Sequence, residues 1–257
     1  VVKIEDGAAT IDLNDKTLTG SFLIKNGEFE IRNGSIVNKD SNVSGIEINA
    51  GALTLTDVNV TSARHALRVD GKVDVTVDGG EYEVSESAGM TTHAVNVSGT
   101  ASVTIKDGPK GLANDSGSAV CVQENSSVVI TGGTFTDGKN KTLANAGTLT
   151  VAGGVFDQNP SEYVADGYHS YQSSFDDMYH VDLDGGFGAV AETNGVKYQT
   201  LEAAVNAAKD GDTVVILKAD TYTVPTGKDL TITGAVDGVV FDDIGAKNMG
   251  GANVTFN

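Results

Sequence analysis

The sequence predicts an all-β chain wound as a right-handed parallel β-helix, a solenoid, with one short capping α-helix near residues 200–209. Three observations carry that expectation. First, six eight-residue segments align with one another: FEIRNGSI (29–36), LTLTDVNV (53–60), VTVDGGEY (75–82), VTIKDGPK (103–110), VVITGGTF (128–135) and LTVAGGVF (149–156). Second, apolar and polar residues alternate inside each segment, the period of a strand. Third, their third residues, Ile31, Leu55, Val77, Ile105, Ile130 and Val151, follow at steps of 24, 22, 28, 25 and 21 residues. A strand recurring at such a spacing between turn residues marks stacked coils. The right hand follows from the bias of parallel crossovers.

A short strand precedes each aligned segment: FLIKNG (22–27), GIEINAG (45–51), ALRVDG (66–71), AVNVSG (94–99), AVCVQE (119–124) and LANAG (143–147). Alternation points Phe22 and Ile24, Ile46 and Ile48, Leu67 and Val69, Val95 and Val97, Val120 and Val122, and Leu143 and Asn145 inward. A further column follows the aligned strand: Ile36, Val60, Tyr82, Phe135 and Phe156. Each coil therefore has about three faces, stacking like on like at about 4.8 Å. A lone coil cannot stand. Its five or six apolar side chains contribute about 1.5–3 kcal/mol each when buried, whereas ordering costs about 1.5 kcal/mol per residue. Neighbouring coils must supply the rest.

The fourth segment departs from the pattern. KDGPKGL (106–112) places Pro109 and Lys110 where other coils carry a small residue and an aromatic, and proline cannot donate to a ladder. A bulge or outward loop is expected there. After Phe156 the period is lost, and residues 158–192 read as an irregular linker or packed excursion. In TNGVKYQTLEAAVNAAKDGDTVVIL, residues Leu201, Ala204, Val205 and Ala208 share one helical face. Thr200 is placed to N-cap this helix and Asp210-Gly211 to end it. Strands are expected at 213–217, 221–224, 230–233, 238–241 and 253–256. The organisation is thus coils over 1–157, the excursion, and a capping helix with first coils of a second module over 193–257.

Composition narrows the function classes. The 257 residues carry 35 acids against 17 bases, a net charge of −18. Such a chain repels nucleic acid and anionic membranes and accepts cations, calcium being the cofactor its acids admit. The single cysteine, Cys121, allows no internal disulfide. No apolar run reaches the 18 or so residues of a membrane span. Val1 opens inside a strand-like stretch with no signal peptide, which reads as an excised fragment or mature product.

Resemblance adds to this. TLEAAVNAAKDGDTVVILKADTYTV (200–224) resembles the capping helix and first coil of pectate-lyase-like right-handed β-helices. The coils at 22–156, with ITGGTF (130–135) and VAGGVFDQNPSEYVADGY (151–168), resemble the repetitive adhesin-like surface proteins of gut Firmicutes and Actinobacteria. The resemblance implies a secreted, extracellular bacterial surface protein whose module serves as a rigid stalk or binds a glycan or a neighbouring protein. Open β-helix ends expose unpaired ladder N–H and C=O groups, so head-to-tail stacking of such ends is expected as well. A polysaccharide lyase or glycoside hydrolase of the β-helix class is the alternative. The hydrolase motifs, an Asn-Thr-Asp triplet and a Gly-His-Gly, are absent.

Candidate ligand-binding residues are Arg68, Asp74 and Asp78, an acid-rich outward face with one of only three arginines, together with Tyr168 and Tyr171 as sugar-stacking rings. Asp176, Asp177, Asp182 and Asp184 are candidate calcium ligands, although HVDLDGGFG lacks the bidentate Glu of a full calcium loop. His65 and His93 take matching positions one coil apart. They read either as a metal pair lacking a third ligand or, preferably, as a ladder of stacked turns. The outward threonines Thr54, Thr76, Thr104 and Thr150 are flanked by charge, and Cys121 has no His–Asp set to activate it.

Overall fold

The computed structural model describes residues 1–85, 91–106, 110–112, 117–136, 141–173, 176–183, 189–218, 221–223, 229–235, 240–242 and 254–256. The chain divides into two compact units, Val1–Tyr163 and Val164–Asn257.

In the first unit the alternating segments form parallel strands on three faces. The first face holds Phe22–Ile24, Val95–Val97, Val120–Val122 and Leu143–Asn145; in two coils it runs on into the second face as the long strands Ile46–Ser62 and Leu67–Asp78. The expected column is in register throughout: Ile31 pairs with Leu55, Leu55 with Val77, Val77 with Ile105, Ile105 with Ile130, and Ile130 with Val151. All six are buried. A parallel column beside it runs Phe29, Leu53, Val75, Val103, Val128 and Leu149. On the third face Phe135 stacks on Phe156, with ring centroids 5.1 Å apart.

Two expectations are corrected. The six aligned segments imply about six coils, but residues 2–19 form a further coil ahead of them, with Val2 opposite Phe22 and Ile11 opposite Ile31. Among the described residues of this unit seven coils are seen: 2–19, 22–38, 46–62, 67–84, 95–105 with 110–112, 120–136 and 143–156. The fourth aligned segment also shifts by one residue. Gly111, not Lys110, lies in register with Tyr82 and Phe135, because the chain takes six steps from Ile105 to Gly111 but five from Ile130 to Phe135. Pro109, where the bulge was expected, lies outside the described residues.

The corner between the first and second faces is tight. Gly27, Gly51, Gly71 and Gly99 all have positive φ, and each of Gly51, Gly71 and Gly99 sits directly against backbone of the preceding coil. Only a residue without Cβ lets the coils approach this closely there. Asn125, at φ 64°, turns the corner in the next coil, consistent with asparagine's tolerance of that region. At another corner Asn38 is buried and donates to Asp40 O, Val43 O and Ser62 Oγ, while its own Oδ1 accepts from Asp40 N.

In the second unit two hairpins precede the helix. Strand Tyr168–Gln172 runs antiparallel to Tyr179–Leu183, and Ala191–Thr193 antiparallel to Val196–Tyr198. The helix spans Leu201–Ala207 and is N-capped by Thr200, whose hydroxyl accepts from Ala203 N at 3.1 Å. It stops short of Asp210-Gly211 because the Asp212 carboxylate captures the Lys209 N–H at 2.8 Å. Leu201, Ala204, Val205 and Ala208 share a core with Val214, Ile216, Leu230 and Ile232, as the helical period requires. Strands Thr213–Ile216, Leu230–Gly234 and Val254–Phe256 stack in parallel. Residues Ala191–Thr193 pair antiparallel with the first of them, so that edge of the stack is covered.

Candidate functional site

Strand alternation turns Glu47, Arg68, Asn96 and Cys121 outward at one register on consecutive coils. Arg68 bridges two acids: Nη1 lies 3.3 Å from Glu47 Oε1, and Nη2 lies 3.0 Å from Asp70 Oδ2. Ser98 Oγ donates to Asp70 Oδ1 at 2.9 Å, and Gln123 Nε2 donates to Asn96 Oδ1 at 3.1 Å. The Arg68 network thus ties three successive coils together, and the separate Asn96–Gln123 bond adds a fourth. It leads into a shallow open groove lined by Gly99, Cys121, Gln123, Glu124 and Asn145. Burial pushes the Cys121 thiol above its usual range, which keeps it protonated and poorly nucleophilic.

Asp74 and Asp78 stand on the second face, Asp74 in register with Ala52 and Ser102, and Asp78 with Thr56 of the preceding coil. Asp78 pairs with Lys106 at 3.4 Å. Asp74 lines a separate shallow groove with Lys72, Asn26 and Glu28. Arg68 therefore has its partners on the first face, and Asp78 has its partner on the second. The sequence reading missed Glu47, Asn96 and Gln123. Register finds Glu47 and Asn96, each opposite Arg68 on a neighbouring strand, and Gln123 follows directly after the strand Val120–Val122.

His65 and His93 stack with centroids 5.5 Å apart and rings parallel. His65 Nδ1 accepts the His93 backbone N–H at 2.9 Å, and His93 Nδ1 accepts the Ser118 backbone N–H at 2.9 Å. Each Nδ1 lone pair is occupied, so each neutral ring carries its proton on Nε2. Zinc–nitrogen bonds of about 2.0–2.1 Å would need the nitrogens nearer than this stacking sets them. The geometry is a ladder. Burial lowers both histidines, His65 to about 4, with the charges of His93 and Arg64 adding to the effect on His65.

In the second unit Tyr171 is only 9 % exposed and belongs to the helix core. Its ring stacks with His169 and His180, and burial, with Asp182 nearby, raises its hydroxyl pKa. Tyr168, three residues earlier on the same strand, faces the other side of the hairpin. The two rings do not form one platform. Asp176 accepts from Met178 N and pairs with His180 at 3.0 Å. Burial pushes its carboxyl up, but those two partners hold it below its ordinary value. Asp177 sits in the turn with φ 58°, and Asp182 lies on the opposite strand, beside Tyr171. Among the described residues no three His, Cys, Asp or Glu side chains gather to hold a metal; Asp184 lies outside them. Ser173 donates to Glu202 at the start of the helix.

Compared with family models, with curated proteins and with solved structures, the chain matches none.

Proposed function

We propose that this chain is a non-catalytic module of a secreted bacterial cell-surface protein, adhesin-like in character, serving as a rigid stalk that also presents a binding face for a glycan or a neighbouring protein. One observation carries this reading: outward cations pair with acids of neighbouring coils at four places. Lys25 pairs with Glu5 at 2.8 Å, Arg32 with Asp12 at 3.0 Å, Arg68 with Glu47 and Lys106 with Asp78. A catalytic base or a substrate clamp needs a cation or acid turned toward an open site. Here the same groups brace adjacent coils, and Arg68 is held on both sides by carboxylates. The adhesin-like strand ends quoted above support the extracellular setting.

The test is direct. The protein is incubated with acidic polysaccharides and calcium, release of unsaturated products or new reducing ends is followed, and the same preparation is applied to a glycan array. No release, with or without glycan binding, is expected. Release that disappears in Arg68→Ala would overturn the proposal in favour of a polysaccharide lyase or hydrolase.

A further inference from the structure

We propose that the His65–His93 column is an acid-sensitive clasp, in which protonation at Nδ1 breaks the main-chain bond each ring accepts and loosens the corner it closes while the stacked faces persist. Two backbone donors meet the rings. The N–H of His93 and the N–H of Ser118 both point at imidazole nitrogens. An imidazolium has no lone pair left at Nδ1. A proton taken from solvent there sets N–H against N–H, and the backbone donor loses its partner in a buried place, a loss that is not neutral.

Three features make this corner respond as a unit. The rings are stacked, so charging one opposes charging the other. The two bonds run in series, from His65 to the coil at 93 and from His93 to the coil at 118. Finally, the charged groups acting on His65 are cationic: besides His93 they are Arg64 and Arg68. Arg64 is itself fixed across the corner, donating to Asn42 O at 2.8 Å, and Arg68 is held by Glu47 and Asp70. The closed corner therefore resists the proton that an open one accepts.

The sign follows. Free histidine titrates near 6.5, whereas closed His65 titrates at about 4. Above 6.5 both forms are neutral and the clasp holds fully. Between 6.5 and 4 the open form binds a proton that the closed form refuses, so opening gains about tenfold per pH unit, about 300-fold over the interval. Below 4 no further loss comes from this ring. The reading differs from the proposed function in kind: it adds a condition under which a stiff solenoid loosens at one seam.

Amide hydrogen exchange on the whole chain tests it. Exchange at the His93 and Ser118 amides is followed from pH 7 to pH 4, corrected for intrinsic rates, with the Thr131 amide, which donates to Ile105 O on the second face, as reference. Protection at the His93 amide should fall by about two orders of magnitude more than at Thr131, and protection at the Ser118 amide should fall further than at Thr131 in the same direction. In His65→Asn/His93→Asn, Asn Oδ1 can accept where Nδ1 did but cannot be charged, and the extra fall should vanish. Corner amides that track Thr131 throughout, or an undiminished fall in the double variant, overturn the proposal. If the double variant does not fold, imidazole nitrogen shifts of the native protein decide: a proton on Nδ1 rather than Nε2 at neutral pH sinks it.

Discussion

Replacing Gly51 by alanine tests the corner column, because two separable effects meet there. Gly51 has φ +94°, a region where an L side chain costs about 1–2 kcal/mol. A Cβ built on it lies 2.7 Å from Gly27 N and closer still to Gly27 O, far inside the 3.5–4.0 Å at which such atoms attract. Those are backbone atoms of the coil above and cannot swing aside. Relief requires moving the coils apart at the point where Ala52 N donates to Gly27 O at 2.8 Å, and such overpacking costs about 1–3 kcal/mol more. The expected loss is about 2–5 kcal/mol. Gly20→Ala is the control, since Gly20 has φ +143° with nothing within 4 Å of its added Cβ. It should show the conformational part alone, about 1–2 kcal/mol. Urea unfolding followed by far-ultraviolet circular dichroism reads both. Equal midpoint shifts for the two variants would show that backbone conformation, not close approach of coils, sets the need for glycine, and would refute the reasoning.

Other substitutions probe other layers of the molecule. Ile130 is fully buried whereas Val129, beside it, is 38 % exposed, so Ile130→Asp should abolish cooperative unfolding by burying an unpaired carboxylate, while Val129→Asp should shift the midpoint by under about 0.5 kcal/mol; similar effects would mean the inward assignment is inverted. Leu201→Lys should remove about 1.5–3 kcal/mol of burial from the second unit's core and expose its first strand, seen as aggregation in light scattering; a monodisperse, equally stable variant would assign the helix another role. Arg68→Ala should cost about 1 kcal/mol or less, since its side chain is 31 % exposed and half-exposed pairs contribute little; a much larger loss of midpoint would mark the network as structural rather than bracing.

The parts of the fold legible in the sequence are those where one physical rule repeats. Ile31 to Val151 obey period-two alternation inside each strand and a common spacing between strands, so six positions vote for one register. The helix was legible because Leu201, Ala204, Val205 and Ala208 mark one face and Thr200 supplies the hydroxyl its first turn needs. Where a single local event decided, legibility failed. One inserted residue moved Gly111 into the aromatic column, and nothing in KDGPKGL says which residue carries the insertion. The helix end moved because Asp212 reached back to Lys209, a competition for a backbone donor that periodicity does not see.

The candidate site was harder for a related reason. Outward residues carry no burial signal, so Arg68, Asp74 and Asp78 look like neighbours when read along the strand. The pairing that matters runs across coils: Arg68 meets Glu47, 21 positions earlier, and Asp78 meets Lys106, 28 positions later. The Asn-Gly at 194–195 was legible in principle. With Asn194 at φ 52° and Gly195 at φ 81° it makes the two-residue turn that such dipeptides favour, and the strand before it, Ala191–Thr193, covers the edge of Thr213–Ile216. Reading TNGVKY as a hairpin would have placed a cover on that edge beside the helix. The same logic separates Tyr171 from Tyr168. Three steps along one strand put them on opposite faces, so Tyr171 enters the helix core and its hydroxyl meets Thr200 and Asp182, whereas a sugar platform requires rings an even number of residues apart.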